Sequence, residues 1–204
     1  MAFGLDIECM PDLSMIDLLP EVSIDGRLKD EAKKKEAYEI KKQQQIDNMA
    51  LNPLFAKVIC ICLYSPQEKY VLMGDERDII SHFWQIIGSH ETIYTYNGNE
   101  YDLNVILKRG LLYEPRMFAV DRLLCDKYKA GRHVDIMQKF SFNGKYEKLD
   151  TLAKVYLKKQ KLDIDFKEFP ELLKTKEGQE KIGEYCMQDA QLVYELAELL
   201  GYQD

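Results

Sequence analysis

Two acidic residues near the start of the chain, Asp6 and Glu8, interrupt a segment that otherwise has the composition of a buried strand, FGLDIE at 3–8. Side chains two residues apart in a strand point to the same side, so both carboxylates are expected on one face and the neighbouring apolar side chains on the other. Two carboxylates held side by side at a buried strand end repel each other unless a positive charge lies between them. The pair therefore predicts a cation at this end of the strand.

Two later segments supply further acids that such a cation could use. The strand candidate TIYTYNG ends in an Asn-Gly turn at 97–98, and Asp102 then begins a helix, where a negative charge is favourable. In the last helix, YCMQD places Tyr185 and Asp189 four residues apart and hence on one helical face. Apolar residues continue that stripe, so Asp189 is expected beside a buried seam, where a carboxylate needs a partner. Each motif alone also fits a plain structural interpretation, namely a helix-start acid or an i,i+4 surface pair.

The order of the three motifs is more specific than any one of them. A strand ending in Asp-x-Glu is followed by a strand leading into Asn-Gly-x-x-aromatic-Asp and by a C-terminal helix carrying Tyr-x-x-x-Asp. In GLDIECMP, TYNGNEYDLNVILKRG and YCMQDAQLVYEL the chain resembles the DEDD-type 3′→5′ exonucleases of the tyrosine subclass. More narrowly, it is similar to the exonucleases related to the proofreading domain of family-B DNA polymerases. The resemblance covers nearly the whole chain and implies a ribonuclease H-like fold.

The resemblance implies a role for each of the five site residues. Asp6 would bridge two metal ions, Glu8 and Asp189 would complete the shell of one ion, and Asp102 would support the other. Tyr185 would orient the attacking water, because a tyrosine with a pKa near ~10 is a poor general base at neutral pH and a better hydrogen-bonding group.

The donor set also predicts which ions these would be. Four acids with no histidine or cysteine cluster suit Mg²⁺ or Mn²⁺ and disfavour zinc. In a two-metal site the ions lie about 3.5–4 Å apart and act on the attacking and leaving oxygens. We expect two such ions and hydrolysis of the terminal phosphodiester of a single-stranded nucleic-acid 3′ end, with release of nucleoside 5′-monophosphates and DNA favoured over RNA. The alternatives are a 3′→5′ exoribonuclease and a non-catalytic nucleic-acid-binding module on the same fold.

Further residues stand near the predicted site without a metal-binding role. Asp135, in HVDIM, resembles a family acid that lies close to the site, and it is not expected to be a ligand. Cys9 follows Glu8 where many relatives have threonine, which affects contacts to the terminal nucleotide. Tyr101, Tyr128 and Tyr146 are candidates for stacking on bases at the 3′ end.

The elements that must position these residues alternate between strands and helices, which predicts an α/β fold with a five-stranded mixed sheet flanked by helices. The strand candidates are FGLDIE, KVICICLY, KYVLMG, TIYTYNG and RHVDIM. Helices are expected in DERDIISHFWQIIGSH, in YDLNVILKRG with Gly110 at its end, in EKLDTLAKVYL and in the stretch from Glu177 to Gly201. One exonuclease domain over 1–204 is expected, with a charged helical insertion at about 12–52 that forms a surface helix or a partly ordered arm.

Composition excludes several classes of protein. The 204 residues carry a net charge of −7, which argues against a general polyanion binder, although residues 108–161 hold fourteen Lys or Arg and only six acids. That basic stretch is either a set of solvated helix faces or a flank that receives phosphates. Five cysteines without CxxC spacing, no apolar run long enough for a bilayer and no secretory signal together favour a cytoplasmic protein without membrane partners.

Overall fold

The structure of the chain is a computed structural model and describes residues 1–88, 91–113, 132–141 and 143–202. Its centre is a five-stranded sheet in the order β3-β2-β1-β4-β5. The strands are β1 (Ala2–Pro11), β2 (Ala56–Tyr64), β3 (Lys69–Met73), β4 (Thr92–Thr95) and β5 (His133–Asp135). β1, β2 and β3 are antiparallel neighbours, whereas β4 runs parallel to both β1 and β5. The predicted five-stranded mixed sheet is confirmed.

Helices flank the sheet on both sides. Their bounds are α1 (Glu31–Asp47), α2 (Glu76–Ile87), α3 (Asp102–Tyr113), α4 (Ile136–Phe140), α5 (Leu149–Leu152), α6 (Phe169–Leu172) and α7 (Lys176–Leu199). A π-helical turn (Ala153–Leu157) extends α5, and short 3-10 turns cover Leu13–Leu18, Asn48–Leu51 and Phe166–Glu168. Within these described residues, no helix has an apolar stretch that could cross a membrane.

The alternation of side chains along β1 divides the core into two layers. Phe3, Leu5 and Ile7 pack with α2 and α3 in one buried cluster. The opposite face of the sheet is covered by α7, which packs against β2 through a second cluster that includes Ile182 and Ala190. The acids of β1 therefore lie on the α7 side, as the pattern of the sequence predicts.

A buried ion network fixes the end of β1 to the α2–α3 layer. The guanidinium group of Arg109 donates to Asp12 Oδ2 at 2.7 Å and to Glu76 Oε2 at 2.6 Å. The other Glu76 oxygen accepts a hydrogen bond from the Val58 backbone N–H at 2.7 Å. Arg109 is 2% exposed. A member of the basic stretch is therefore an internal structural group, not part of a phosphate-binding surface.

Two details of the predicted elements are wrong. Helix α3 does not end at Gly110 but continues to Tyr113. Gly110 lies inside the helix at its contact with α2, where a Cβ atom would be 3.6 Å from Ile80 and 3.9 Å from Trp84. The strand expected in RHVDIM has only three residues, since the Asp135 side chain caps a helix that begins at Ile136.

The segment 12–52 contains the surface helix that its composition indicates. Helix α1 has no buried residue, and Asp30 caps its N-terminus by accepting from the backbone N–H groups of Ala32 and Lys33. The segment is attached to the body at its two ends, through the Asp12 ion pair and through the carbonyl of Ala50, which accepts a hydrogen bond from the Tyr101 hydroxyl.

Candidate active site

The first two acids are positioned by a close contact between β1 and α7. A Cβ atom on Gly4 would lie 2.0 Å from the carbonyl oxygen of Ala190, so only glycine allows the helix backbone to approach the strand at this crossing. The approach places Cys186 against β1, where its thiol donates to the backbone carbonyl of Asp6 at 3.3 Å. Glu8 follows on the same face, and the strand pairing shifts register immediately after it, between Glu8 and Cys9.

The third acid reaches the site because β1 and β4 are parallel neighbours, so their carboxyl ends meet at one edge of the sheet. The chain leaves β4 through a turn in which Asn97 has a positive φ of 71°. The buried carboxylate of Asp135 holds this turn by accepting from the backbone N–H groups of Asn97 at 3.0 Å and Asn99 at 3.2 Å. Asp102 then begins α3, and the nearby backbone N–H groups of Asp102 and Ile7 hold down the pKa of its carboxyl group against the effect of burial.

The fourth acid and the tyrosine come from α7, one helical turn apart. Asp189 is 3% exposed, and its Oδ2 forms an ion pair with the Lys161 ammonium at 2.5 Å. The same ammonium lies 4.9 Å from the ring centroid of the half-buried Tyr185 and donates to its hydroxyl. Burial raises the pKa of Tyr185 and the lysine partly offsets the rise, so the phenol stays protonated at neutral pH.

The charges of the four acids raise the pKa values of their neighbours in the group. Burial raises the pKa of Asp6 well above its ordinary value, and the charges of Glu8, Asp189 and Asp102 raise it further. Burial and the Asp189 charge likewise raise the pKa of Glu8. Burial, with Asp135 and Asp189 nearby, raises the pKa of Asp102 to about 7. Four carboxyl groups that share one low-dielectric pocket resist simultaneous ionisation unless positive charge enters it.

Two carboxylate oxygens in this pocket have no hydrogen-bond partner. They are Asp6 Oδ2 and Asp189 Oδ1, and both are inaccessible to solvent. A buried oxygen of this kind is costly unless it binds a cation. The donor set consists of carboxylates, and the residues Asp6 and Glu8 are partly exposed, which fits a hard divalent cation. Within the described chain, the ligand atoms of Asp6, Glu8 and Cys186 form a group whose members all lie within 4.8 Å of one another.

A layer of three thiols lies directly beneath the carboxylates, contrary to the expectation of no cysteine cluster. Cys60 and Cys62 project from β2 as the strand partners of Glu8 and Asp6, and Cys186 comes from α7. We call these three residues the thiol layer. Their sulfur atoms lie within 4.8 Å of one another, and all three side chains are fully buried. The cluster is invisible in the linear spacing because its third member is distant in sequence.

The three tyrosines that are candidates for stacking on bases differ in how the structure places them. Tyr101 is partly buried against the core, and its hydroxyl donates to the Ala50 carbonyl of the insertion. Tyr146 is 54% exposed, whereas Tyr128 and the part of the basic stretch over 114–131 lie outside the described residues. In the described remainder of that stretch, Arg132 binds the carbonyls that end α2, and only Lys161 enters the site.

Comparisons with known proteins bear directly on this arrangement. Residues 53–196 match a family described as "Predicted 3'-5' exonuclease related to the exonuclease domain of PolB". The chain belongs to this family. It is also 30% identical over 198 residues to the DNA polymerase catalytic subunit of Murid herpesvirus 1 (strain Smith), covering 81% of this chain and 18% of that protein. A second relative, DNA polymerase 1 of Saccharolobus solfataricus, is 30% identical over 135 residues, which cover 59% of this chain and 15% of the polymerase.

Among solved structures, the family B DNA polymerase from the hyperthermophilic archaeon Pyrobaculum calidifontis matches 98% of this chain and 24% of its own chain. The TM-score is 0.59 and the sequence identity 16%. The predicted ribonuclease H-like fold and the predicted relation to polymerase exonuclease domains are therefore confirmed. The chain spans less than a fifth of the length of the two polymerases compared by sequence.

Lys161 is a site residue that the sequence did not single out. It was one of fourteen basic residues in a stretch, and neither its spacing nor its neighbours distinguish it. It follows α5 in a segment without regular structure, and only the tertiary fold brings its ammonium to Asp189. The one available signal was chemical, because four converging carboxylates require a nearby cation.

Proposed function

We propose that this chain is a divalent-metal-dependent 3′→5′ exonuclease that acts on single-stranded DNA ends. The observation that carries the proposal is the pair of buried, unpartnered oxygens, Asp6 Oδ2 and Asp189 Oδ1, in a pocket with two further carboxylates. The family relation supports the reaction type, since the matching family is described as related to a polymerase exonuclease domain.

The four acids would hold two Mg²⁺ or Mn²⁺ ions, with Asp6 shared between them, Glu8 and Asp189 on one side and Asp102 on the other. When bound, such ions supply Lewis-acid stabilisation of the phosphoryl oxygens and a nucleophile at neutral pH. In the reaction, water adds to the terminal phosphorus and the bond to the 3′ oxygen of the preceding nucleotide breaks. A nucleoside 5′-monophosphate leaves, and the shortened strand keeps a 3′ hydroxyl.

Two further side chains have positioning roles in this proposal. Tyr185 keeps its proton at neutral pH, so its hydroxyl orients the attacking water by a hydrogen bond and does not act as a base. The Lys161 ammonium neutralises the acids before substrate binds. It is mobile enough, on its flexible stem, to turn toward the negatively charged phosphate. Exposed Tyr146 is the described stacking candidate that remains available to a base.

The test is digestion of a 5′-labelled single-stranded oligonucleotide by the purified protein with Mg²⁺ or Mn²⁺. We expect a ladder that shortens from the 3′ end and disappears in the Asp6→Ala protein. Asp78→Ala is the matched control, because Asp78 is an exposed acid at the start of α2, on the other side of the sheet. No cleavage by the wild-type protein under either metal would refute the enzyme and leave a binding module.

Matched DNA and RNA strands in the same assay decide the substrate class. Faster degradation of RNA would replace the DNA preference by an exoribonuclease activity. A substrate with a paired 3′ end should be cut more slowly than a single strand, because a paired terminus does not fit between the acids and the strand-end turns.

A further inference from the structure

We propose that the thiol layer is a second metal site, which takes one thiophilic cation of the zinc class, and that binding there inhibits the carboxylate site above it. The inhibitory half rests on the proposed nuclease function, whereas the binding half stands on the geometry of the three cysteines alone.

The sulfur positions match what a tetrahedral thiolate site requires. With a metal–sulfur distance of about 2.3 Å, two sulfur ligands of a tetrahedral zinc ion lie roughly 3.8 Å apart. Cys60 Sγ and Cys62 Sγ are 3.7 Å apart. Cys186 Sγ lies within 4.8 Å of both, so small side-chain rotations bring it to the same spacing. Cys60 and Cys62 are thus in contact, and Cys186 lies close to both.

The backbone holds these sulfurs on two rigid elements. Cys60 and Cys62 are two residues apart on β2, so both side chains point to the face of the sheet that α7 covers. Cys186 is held on the facing helix, where its thiol donates to the Asp6 carbonyl, and Cys62 donates to the Gly183 carbonyl at 3.6 Å. A site built on a strand and a helix needs no loop to order when an ion binds.

The carboxylate pocket lies beside the thiol layer and provides the fourth ligand. Cys186 Sγ lies within 4.8 Å of a carboxylate oxygen of Asp6 and of Glu8, two residues that are only partly exposed. An ion bound by the acids would therefore lie beside Cys186, the member of the thiol layer that is shared by both groups of ligand atoms. Glu8 is the strand partner of Cys60 and its carboxylate lies within 4.8 Å of Cys186 Sγ, so a change of its side-chain rotamer would bring it in as the fourth ligand. The Glu8 carboxylate would then no longer be available to bind Mg²⁺ or Mn²⁺, and this loss would cause the inhibition.

Ligand softness separates the two sites. Thiolates select zinc-class ions over Mg²⁺, whereas carboxylates and water suit Mg²⁺ and Mn²⁺. Millimolar Mg²⁺ would fill the upper site and leave the thiols free, while a trace of a thiophilic ion would bind below. The thiols release their protons to solvent on binding, so the site forms without any redox step.

The experiment uses the full chain with Cys9→Ser and Cys125→Ser, which leaves the thiol layer as its only cysteines. Cd²⁺ is titrated into this protein in the presence of a phosphine reductant, without nucleic acid. We expect an ultraviolet sulfur-to-cadmium charge-transfer band that saturates at one ion per chain. Zn²⁺ should compete for the same site, and Asp6→Asn should keep the band, because Asp6 is not a ligand of the lower site.

Adding Cys60→Ala and Cys62→Ala should abolish the band. Cys186→Ala is the second variant, in case the double change prevents folding, and circular dichroism checks both. In the nuclease assay with Mg²⁺, stoichiometric Zn²⁺ should slow the three-thiol protein, and the alanine variants should need at least about tenfold more Zn²⁺ for the same effect.

Absence of the band in the folded three-thiol protein overturns the site, as does a band of unchanged affinity in the alanine variants. A normal band with Zn²⁺-insensitive cleavage overturns the inhibition alone. A normal band in a protein that never cleaves nucleic acid refutes the proposed nuclease and leaves the thiol site standing, so the two failures are distinguishable.

Discussion

Replacing Asp102 by asparagine should stabilise the metal-free protein at pH 8. The pKa of Asp102 is raised to about 7 by burial, with a smaller contribution from the Asp135 charge. A carboxyl group whose pKa is higher in the folded than in the unfolded chain destabilises the fold as pH rises between the two values. The rise from 3.8 to about 7 corresponds to roughly 4 kcal/mol at pH 8.

The expected gain is smaller than this full penalty, because the asparagine amide must be buried at a cost of ~1–2 kcal/mol. The variant should therefore be more stable by about 2–3 kcal/mol at pH 8, which raises Tm by roughly 5–10 °C in a chain of this size. At pH 5 the wild-type chain recovers about 2–3 kcal/mol of the penalty, so the advantage of asparagine should nearly vanish. Asp12, with a lowered pKa, loses its contribution only below the ordinary carboxyl range and does not affect this comparison.

The assay is thermal unfolding with a chelator at pH 5 and pH 8, for wild type, Asp102→Asn and the control Asp163→Asn, an exposed loop acid. Adding Mg²⁺ should raise the Tm of wild type more than that of Asp102→Asn, since binding to the folded state stabilises it. Nuclease activity of Asp102→Asn should fall by on the order of 10³-fold, the equivalent of several kcal/mol of lost charge stabilisation. A variant less stable than wild type at pH 8, with a difference that does not change with pH, would refute this account of the pocket.

Three further predictions test the surroundings of the site. Lys161→Met should lower the cleavage rate by about 10²-fold and also lower the metal-free Tm, because Asp189 loses its cation; a normal rate in the digestion assay would contradict its role. Arg109→Met should lower the free energy of unfolding, measured with denaturant, by about 3–5 kcal/mol, because Glu76 is left buried without its ion pair. A loss below about 1 kcal/mol would contradict the role of the ion network. Gly4→Ala should lower the free energy of unfolding by about 1–3 kcal/mol and also slow cleavage, because a methyl group would push α7 away from β1. If neither the stability nor the cleavage rate changes, the close contact is not required.

The architecture and the directions of the acidic side chains could be predicted from sequence patterns alone. Alternation along FGLDIE placed Asp6 and Glu8 opposite the apolar face, and the helical period placed Tyr185 and Asp189 on one stripe. These patterns are local, so they survive in the linear sequence. The helix end predicted at Gly110 is wrong because the sequence signal at a glycine is ambiguous. A glycine at a helix–helix contact has the same sequence signature as one at a helix end.

The groups that surround those acids are apparent only from the packing of the folded chain. Lys161 and Cys186 reach the pocket from segments far away in sequence, and no spacing rule links them to Asp6. Tyr101, a candidate for base stacking, binds the insertion through its hydroxyl and packs against the core. The physical reason is that periodicity reports which way a side chain points from its own element. It does not report which other element packs against that face, and this packing supplies the cation and the thiols.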